Sequence, residues 1–348
     1  NPPSITSLAG TQPTGVYLPD ALYGNVAQVP ASYIQPNPVL CIPGLVLADS
    51  INGVGDLYQG ATAFPDSIAL TANWDPALTD AYGQVLGGEA IKKGVNVLLG
   101  PGLDIARTPL AGRNFENMGE DPFLAGQVAA AVIRGVQSQH VIATAKHLSL
   151  NDQEVNKTTL SADASERTMQ EIYLPPFAGA VKAGVGAVMC TYNRINSVWA
   201  CQNKYTLHDV LRTQLGFTGY ANSEWGATHS TVQSIKAGLD MEMPWATYFG
   251  DALKTAVQNG RVPQAALDNM VYNIVYTMFR LGLFDHPPVQ GPQAAAAIAT
   301  TQTSLDTATR VGEAGTVLLK NKSGILPLGG SGKRIAVIGP AAGQHGAQ

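Results

Sequence analysis

From residue 45 to about residue 281 short apolar runs alternate with longer amphipathic segments, and no other feature limits the fold of this chain as strongly. Runs at 45–48, 95–99, 141–145, 187–190, 219–223 and 239–243 have the length and content of buried strands. Between them the spacing predicts helices over 79–92, 122–137, 165–182, 206–214, 230–237 and 250–259, then a long one from 263 to about 281. Strands that alternate with helices lie parallel and are joined by crossovers. That leaves a barrel or a doubly wound sheet. Asp49, Lys146 with His147, Tyr192 and Glu224 each stand just beyond the C-terminal end of a different apolar run. A barrel collects all such ends on one face, whereas a doubly wound sheet collects them only at its switch point. The expected fold is therefore an α/β (β/α)8 TIM-like barrel.

Composition narrows the function. Charged residues are 13% of the chain, about half the usual share of roughly 25%. A formal net charge of −4, without a Lys/Arg-rich run, argues against a nucleic-acid partner. No stretch of about 20 apolar residues is present, so no membrane span is expected. The chain starts at Asn1, which suggests a processed or trimmed N-terminus. Cys190 and Cys201 are close enough in sequence to pair, leaving Cys41 free; three reduced thiols fit equally well. Two N-x-[ST] sequons, at Asn156 and Asn321, lean towards a secreted, extracellular protein.

The polar residues at the strand ends suit carbohydrate chemistry. A glycosidase needs two carboxyl groups, one as nucleophile or base and one as proton donor. Arg and Lys donate several hydrogen bonds to hydroxyls and keep neighbouring carboxylates ionised. An aromatic face stacks on a sugar ring. Ser223-Glu224-Trp225-Gly226 supplies a carboxylate, an indole and a turn. Taken singly, each residue has a plainer account. Glu224 is a surface acid beside a packed Trp, Arg107 and Arg113 are salt-bridge partners, Asp49 is a cap, and Tyr192 is a core aromatic. It is their agreement across several strand ends that favours a site.

Five segments, GPGLDIARTPLAGRNFENMGEDP (100–122), ATAKHLSLNDQE (143–154), SERTMQEIYLPPF (165–177), VMCTYNRIN (188–196) and GFTGYANSEWGATHS (216–230), resemble signatures of glycoside hydrolase family 3, in its β-glucosidase branch. The resemblance runs in order from about residue 45 to residue 340 and implies retaining hydrolysis of terminal β-linked glucose or a close relative. It assigns Asp49 to the hydroxyls farthest from the anomeric carbon, and Arg113, Lys146 and His147 to the middle ones. Met189 and Tyr192 would form the floor, Trp225 the stacking wall, and Arg107 a support behind the site, with Glu224 as the catalytic carboxylate. Water completes the reaction, so no cofactor is implied, and no cluster has metal-ligand spacing.

Three departures stand out. The family's Asp-Gly-Pro stretch reads Asp49-Ser50-Ile51 here. The loop after Lys146-His147 lacks the Pro-Gly-His-Gly of the family's N-acetylglucosaminidases. The family nucleophile is an Asp in Ser-Asp-Trp, where this chain has Glu224. An extra methylene can move a carboxylate by about 1 Å, a displacement that can cost roughly 10²-fold in rate. This raises an alternative: a catalytically impaired carbohydrate-binding module. In this branch the acid/base comes from a second domain, so that domain, or an accompanying chain, is the expected partner beside the carbohydrate. Glu154, Glu166 and Glu171 are the substitutes within the chain. The expected division is a barrel over 1–285, a linker and connecting helix over 286–330, and over 331–348 the first strand of a truncated α/β sandwich domain.

Overall fold

A computed structural model describes residues 31–50, 52–56, 58–330 and 334–339. The expected processed N-terminus lies outside the described residues.

The strands are β1 (Ser32–Ile34), β2 (Leu45–Asp49), β3 (Val97–Leu99), β4 (Ile142–Leu148), β5 (Ser161–Ala162), β6 (Ala187–Cys190), β7 (Arg194–Ile195), β8 (Val198–Trp199) and β9 (Tyr220–Ser223). Six of them form one sheet in the order β1-β2-β3-β4-β6-β9. It is parallel except for β1, which runs antiparallel to β2. The register aligns Leu47 with Val97, Val97 with Ile142, Thr144 with Ala187 and Ala187 with Tyr220. Every residue of β3, β4, β6 and β9 is buried, and β3 and β6 carry continuous apolar runs rather than alternating ones. This is an α/β fold. The expected strand at 239–243 reduces to one bridging pair, Asn222 with Met241, although its apolar residues are buried.

Sequence sets the helix starts. Asp75 and Asp121 each accept two backbone N–H bonds, with Pro in the first turn of helices Pro76–Lys92 and Pro122–Gln137. The second of these packs on Pro175–Lys182, where a Cβ on Gly179 would come within 2.5 Å of the Gly126 carbonyl. Only glycine permits that approach. The single helix expected over 165–182 is broken into Glu166–Thr168, a π-helical turn Met169–Tyr173, and Pro175–Lys182. Two prolines at 175 and 176 supply no N–H to a continuous ladder. Tyr205–Gln214 is also π-helical.

Two small features lie beside the C-terminal ends of the main strands. Strands β5, β7 and β8 form a second sheet from the loops after β4 and β6. A disulfide joins Cys190, the last residue of β6, to Cys201, and Cys41 is free and exposed. Residues 286–299 fold back onto the body, with Ala294, Ala295 and Ala299 buried. Residues 334–339, expected as a strand, are exposed and form none, because no neighbouring strand pairs with them among the described residues; 331–333 and 340–348 lie outside those residues.

Candidate active site

The C-terminal ends of β2, β4, β6 and β9, with the loop after β3, bring the polar residues together. Asp49 ends β2, Lys146 and His147 lie near the end of β4, and Glu224 follows Ser223 at the end of β9. The β4–β6 register shifts between Lys146 and Leu148, an irregularity of the kind that re-aims side chains. Both basic residues reach acidic partners. Lys146 Nζ donates to Asp49 Oδ1 at 2.6 Å, and His147 Nε2 lies 3.2 Å from Glu224 Oε1.

The turn after β9 fixes Glu224. Its N–H donates to the Cys190 carbonyl at 3.1 Å, and Gly226, at φ +77°, sends its N–H to the Met243 carbonyl at 2.8 Å. A side chain at that φ would be strained, hence the glycine. The Glu224 carboxylate curls back, and its Oε2 accepts the Trp225 N–H at 2.9 Å. Burial pushes this acid upward. The bond to and charge of His147, the charge of Lys146 and the Trp225 N–H outweigh burial and hold it at about 2. Glu224 is an ionised carboxylate in a nearly closed setting.

Tyr192 joins the two halves of the site. Its phenol feels the charges of Glu224, Arg113, Glu154 and Asp49, and burial is the main cause that raises its pKa and keeps it protonated. Lys157 Nζ sits 4.8 Å from the centre of its ring. The Arg113 fork is taken by Glu116, at 2.9 and 2.7 Å, with Glu154 at 3.8 Å. Met189 is buried and pairs in register with both Lys146 and Asn222. Trp225 is half-buried against the core. An open cleft of about 920 Å³ borders Asp49, Arg113, Phe115 and Glu116.

Not every expected residue joins this group. Arg107 is exposed and lies 5.9 Å over the Tyr173 ring, which bonds Asp152. Glu166 and Glu171 sit on an exposed helical stretch, where Glu166 accepts from Tyr205 and Gln170 and Glu171 from Arg167, and only Glu154 faces the site. Two residues were missed. Asp104, after β3, accepts from His147 Nδ1 at 2.7 Å, and Asp56 accepts the Asp49 N–H at 2.9 Å. Asp104 left a trace in the sequence: it is an acid just beyond an apolar run, inside the GPGLDIARTP segment. Among the described residues no group of three or more His, Cys, Asp or Glu side chains is placed to hold a metal.

The model of the glycosyl hydrolase family 3 N-terminal domain matches residues 25–276. The chain belongs to glycosyl hydrolase family 3. It is 43% identical over 311 residues to the probable β-glucosidase L of Emericella nidulans, covering 85% of this chain and 42% of that protein. With a β-glucosidase of Rhizobium radiobacter it shares 43% identity over 318 residues, 87% of this chain and 37% of the relative. The crystal structure of the β-D-glucoside glucohydrolase from Trichoderma reesei superposes with a TM-score of 0.80 at 38% identity, covering 86% of this chain and 43% of the other. DesR, a β-glucosidase from Streptomyces venezuelae in complex with D-glucose, gives 0.81 at 37% identity, with 87% and 40% covered. This family 3 chain thus spans about two fifths of the length of these relatives. None of its helices, among the described residues, is long and apolar enough to cross a membrane.

Proposed function

We propose that the chain hydrolyses terminal, non-reducing β-linked glucose, or a closely related sugar, from β-glycosides with retention. The observation that carries this reading is the Glu224 carboxylate, held 3.2 Å from His147 Nε2 at a strand end that also gathers Lys146, Asp49 and Tyr192. Glu224 attacks the anomeric carbon as the leaving oxygen takes a proton from an acid brought by a second domain or an accompanying chain. The same group then activates water, which breaks the glycosyl–Glu224 ester. Retention places the two carboxyl groups about 5–5.5 Å apart. Asp49 binds the distal hydroxyls; Arg113, Lys146 and His147 bind the middle ones; Met189 and Tyr192 line the floor. Trp225 stacks on the sugar face, and Arg107 supports the loop from behind. No cofactor is needed.

The same proposal includes a closed (β/α)8 barrel over 1–285, a connecting stretch over 286–330 and the opening of a second α/β domain over 331–348. The sheet order follows chain order, which supports closure. The Cys190–Cys201 disulfide supports secretion.

The rival, an impaired carbohydrate-binding module, rests on Glu224 alone. It is not favoured, because relatives at 37–43% identity are β-glucosidases or probable ones by name. Turnover of an aryl β-glucoside by the chain and by Glu224→Asp decides between them. The glucosidase reading expects turnover by the chain and no gain in Glu224→Asp. A rise of about 10²-fold or more on restoring Asp would establish the impaired module.

A further inference from the structure

We infer that Asp104 is a positioning residue: from the loop after β3 it grips His147 at Nδ1 and turns the opposite ring nitrogen toward Glu224 and the sugar. The inference rests on the glycosidase reading for its consequence, although not for its geometry. Asp104 is 6% exposed. Its Oδ2 lies 2.7 Å from His147 Nδ1 and accepts the His147 main-chain N–H at 3.4 Å, and its Oδ1 has no partner among the described residues. Both contacts of this buried acid are therefore made to one histidine.

The ring's charge follows from its neighbours. A carboxylate only accepts, so Nδ1 must carry a proton. Nε2 lies 3.2 Å from the Glu224 carboxylate, a second acceptor, and a lone pair there would face an oxygen anion. Both nitrogens are protonated, and His147 is an imidazolium between two carboxylates. The groups facing it are Asp104 from the β3 loop, Glu224 from β9, and its neighbours Lys146 and Asn151, whose amide is 3.4 Å from Nδ1. Farther out, Arg113 and Asp152 act on Asp104. Burial opposes the ring's charge, but the charge and bond of Asp104, followed by those of Glu224, raise the histidine above its ordinary range.

The test is the titration of His147 followed by imidazole NMR, assigned with His147→Gln, in the chain and in Asp104→Asn. The chain should keep its imidazolium above the ordinary histidine range. In Asp104→Asn the midpoint should fall by about one pH unit or more. Where an aryl β-glucoside is turned over, the basic limb of kcat/KM should move down by the same amount while kcat on the acid side changes little, and Asp104→Glu should restore the limb. A His147 that is neutral at pH 7 in the unsubstituted chain overturns the inference without any variant. So does an unmoved midpoint in Asp104→Asn, or a uniform loss of kcat at every pH. If the unsubstituted chain leaves the aryl glucoside intact, the glycosidase reading fails, and the NMR midpoint still decides the role of Asp104.

Discussion

Glu224 keeps its charge although nearly buried because an imidazole, an ammonium and a backbone N–H converge on it. A carboxyl held at about 2 favours the folded chain wherever it is ionised in the fold, so this stabilisation is complete above the unfolded value near 4.5 and is lost as pH falls towards 2. The difference in thermal midpoint between the chain and Glu224→Gln should therefore shrink between pH 4.5 and pH 2, read by calorimetry where His147 is charged in both. A constant difference would contradict the assigned environment. The same substitution should lower kcat on an aryl glucoside by about 10³-fold or more if Glu224 is the nucleophile proposed above. Lys146→Met leaves Asp49 without its cation and removes the proposed hydroxyl donor. Its kcat/KM should fall by about 10²-fold, carried largely by KM.

At the scale of elements, the loop after β6 holds Tyr192 between two anchors, the strand itself and the Cys190–Cys201 bridge. Opening a loop of sequence separation 11 releases about 3 kcal/mol of unfolded-chain constraint. Reduction, or Cys201→Ser, should lower the melting temperature by several degrees and raise KM more than it lowers kcat. An unchanged melting curve would remove the bridge from the account. The helix start at Pro122 was legible in the sequence, whereas the earlier helix begins at Pro76 rather than the expected 79, because Asp75 caps it with Pro in its first turn. The break within 165–182 was less so, since a π-helical turn depends on how its residues pack as well as on two prolines.

For the molecule as a whole, Lys93 ties distant parts of the chain together. Fully buried, it donates to the carbonyls of Gln59, Ala295 and Ala297, the bond to Ala295 measuring 3.0 Å. Nearby, the carbonyl of Gly60 accepts from Ala299 and Thr300 at 2.7 and 3.1 Å, and His286 stacks on His140 at 3.9 Å. Lys93→Met would leave buried carbonyls unpaired. It should cost about 2–4 kcal/mol in denaturant unfolding and expose residues 286–299 to limited proteolysis. Unaltered cleavage there would show that the stretch is held by other contacts.

The sequence alone marked five of the six strands of the main sheet and which chemical groups stand at strand ends, because periodicity and strand polarity are properties of nearby residues. It also carried the family resemblance, since that is written in contiguous motifs. Tertiary structure decided who meets whom. It seated Asp104 behind His147, set Arg107 apart over Tyr173 and docked residues 286–299 that composition had marked as a linker. Those pairings span tens to hundreds of positions in sequence. They depend on sheet register and on the burial of one carboxylate or one ammonium, neither of which a local pattern encodes.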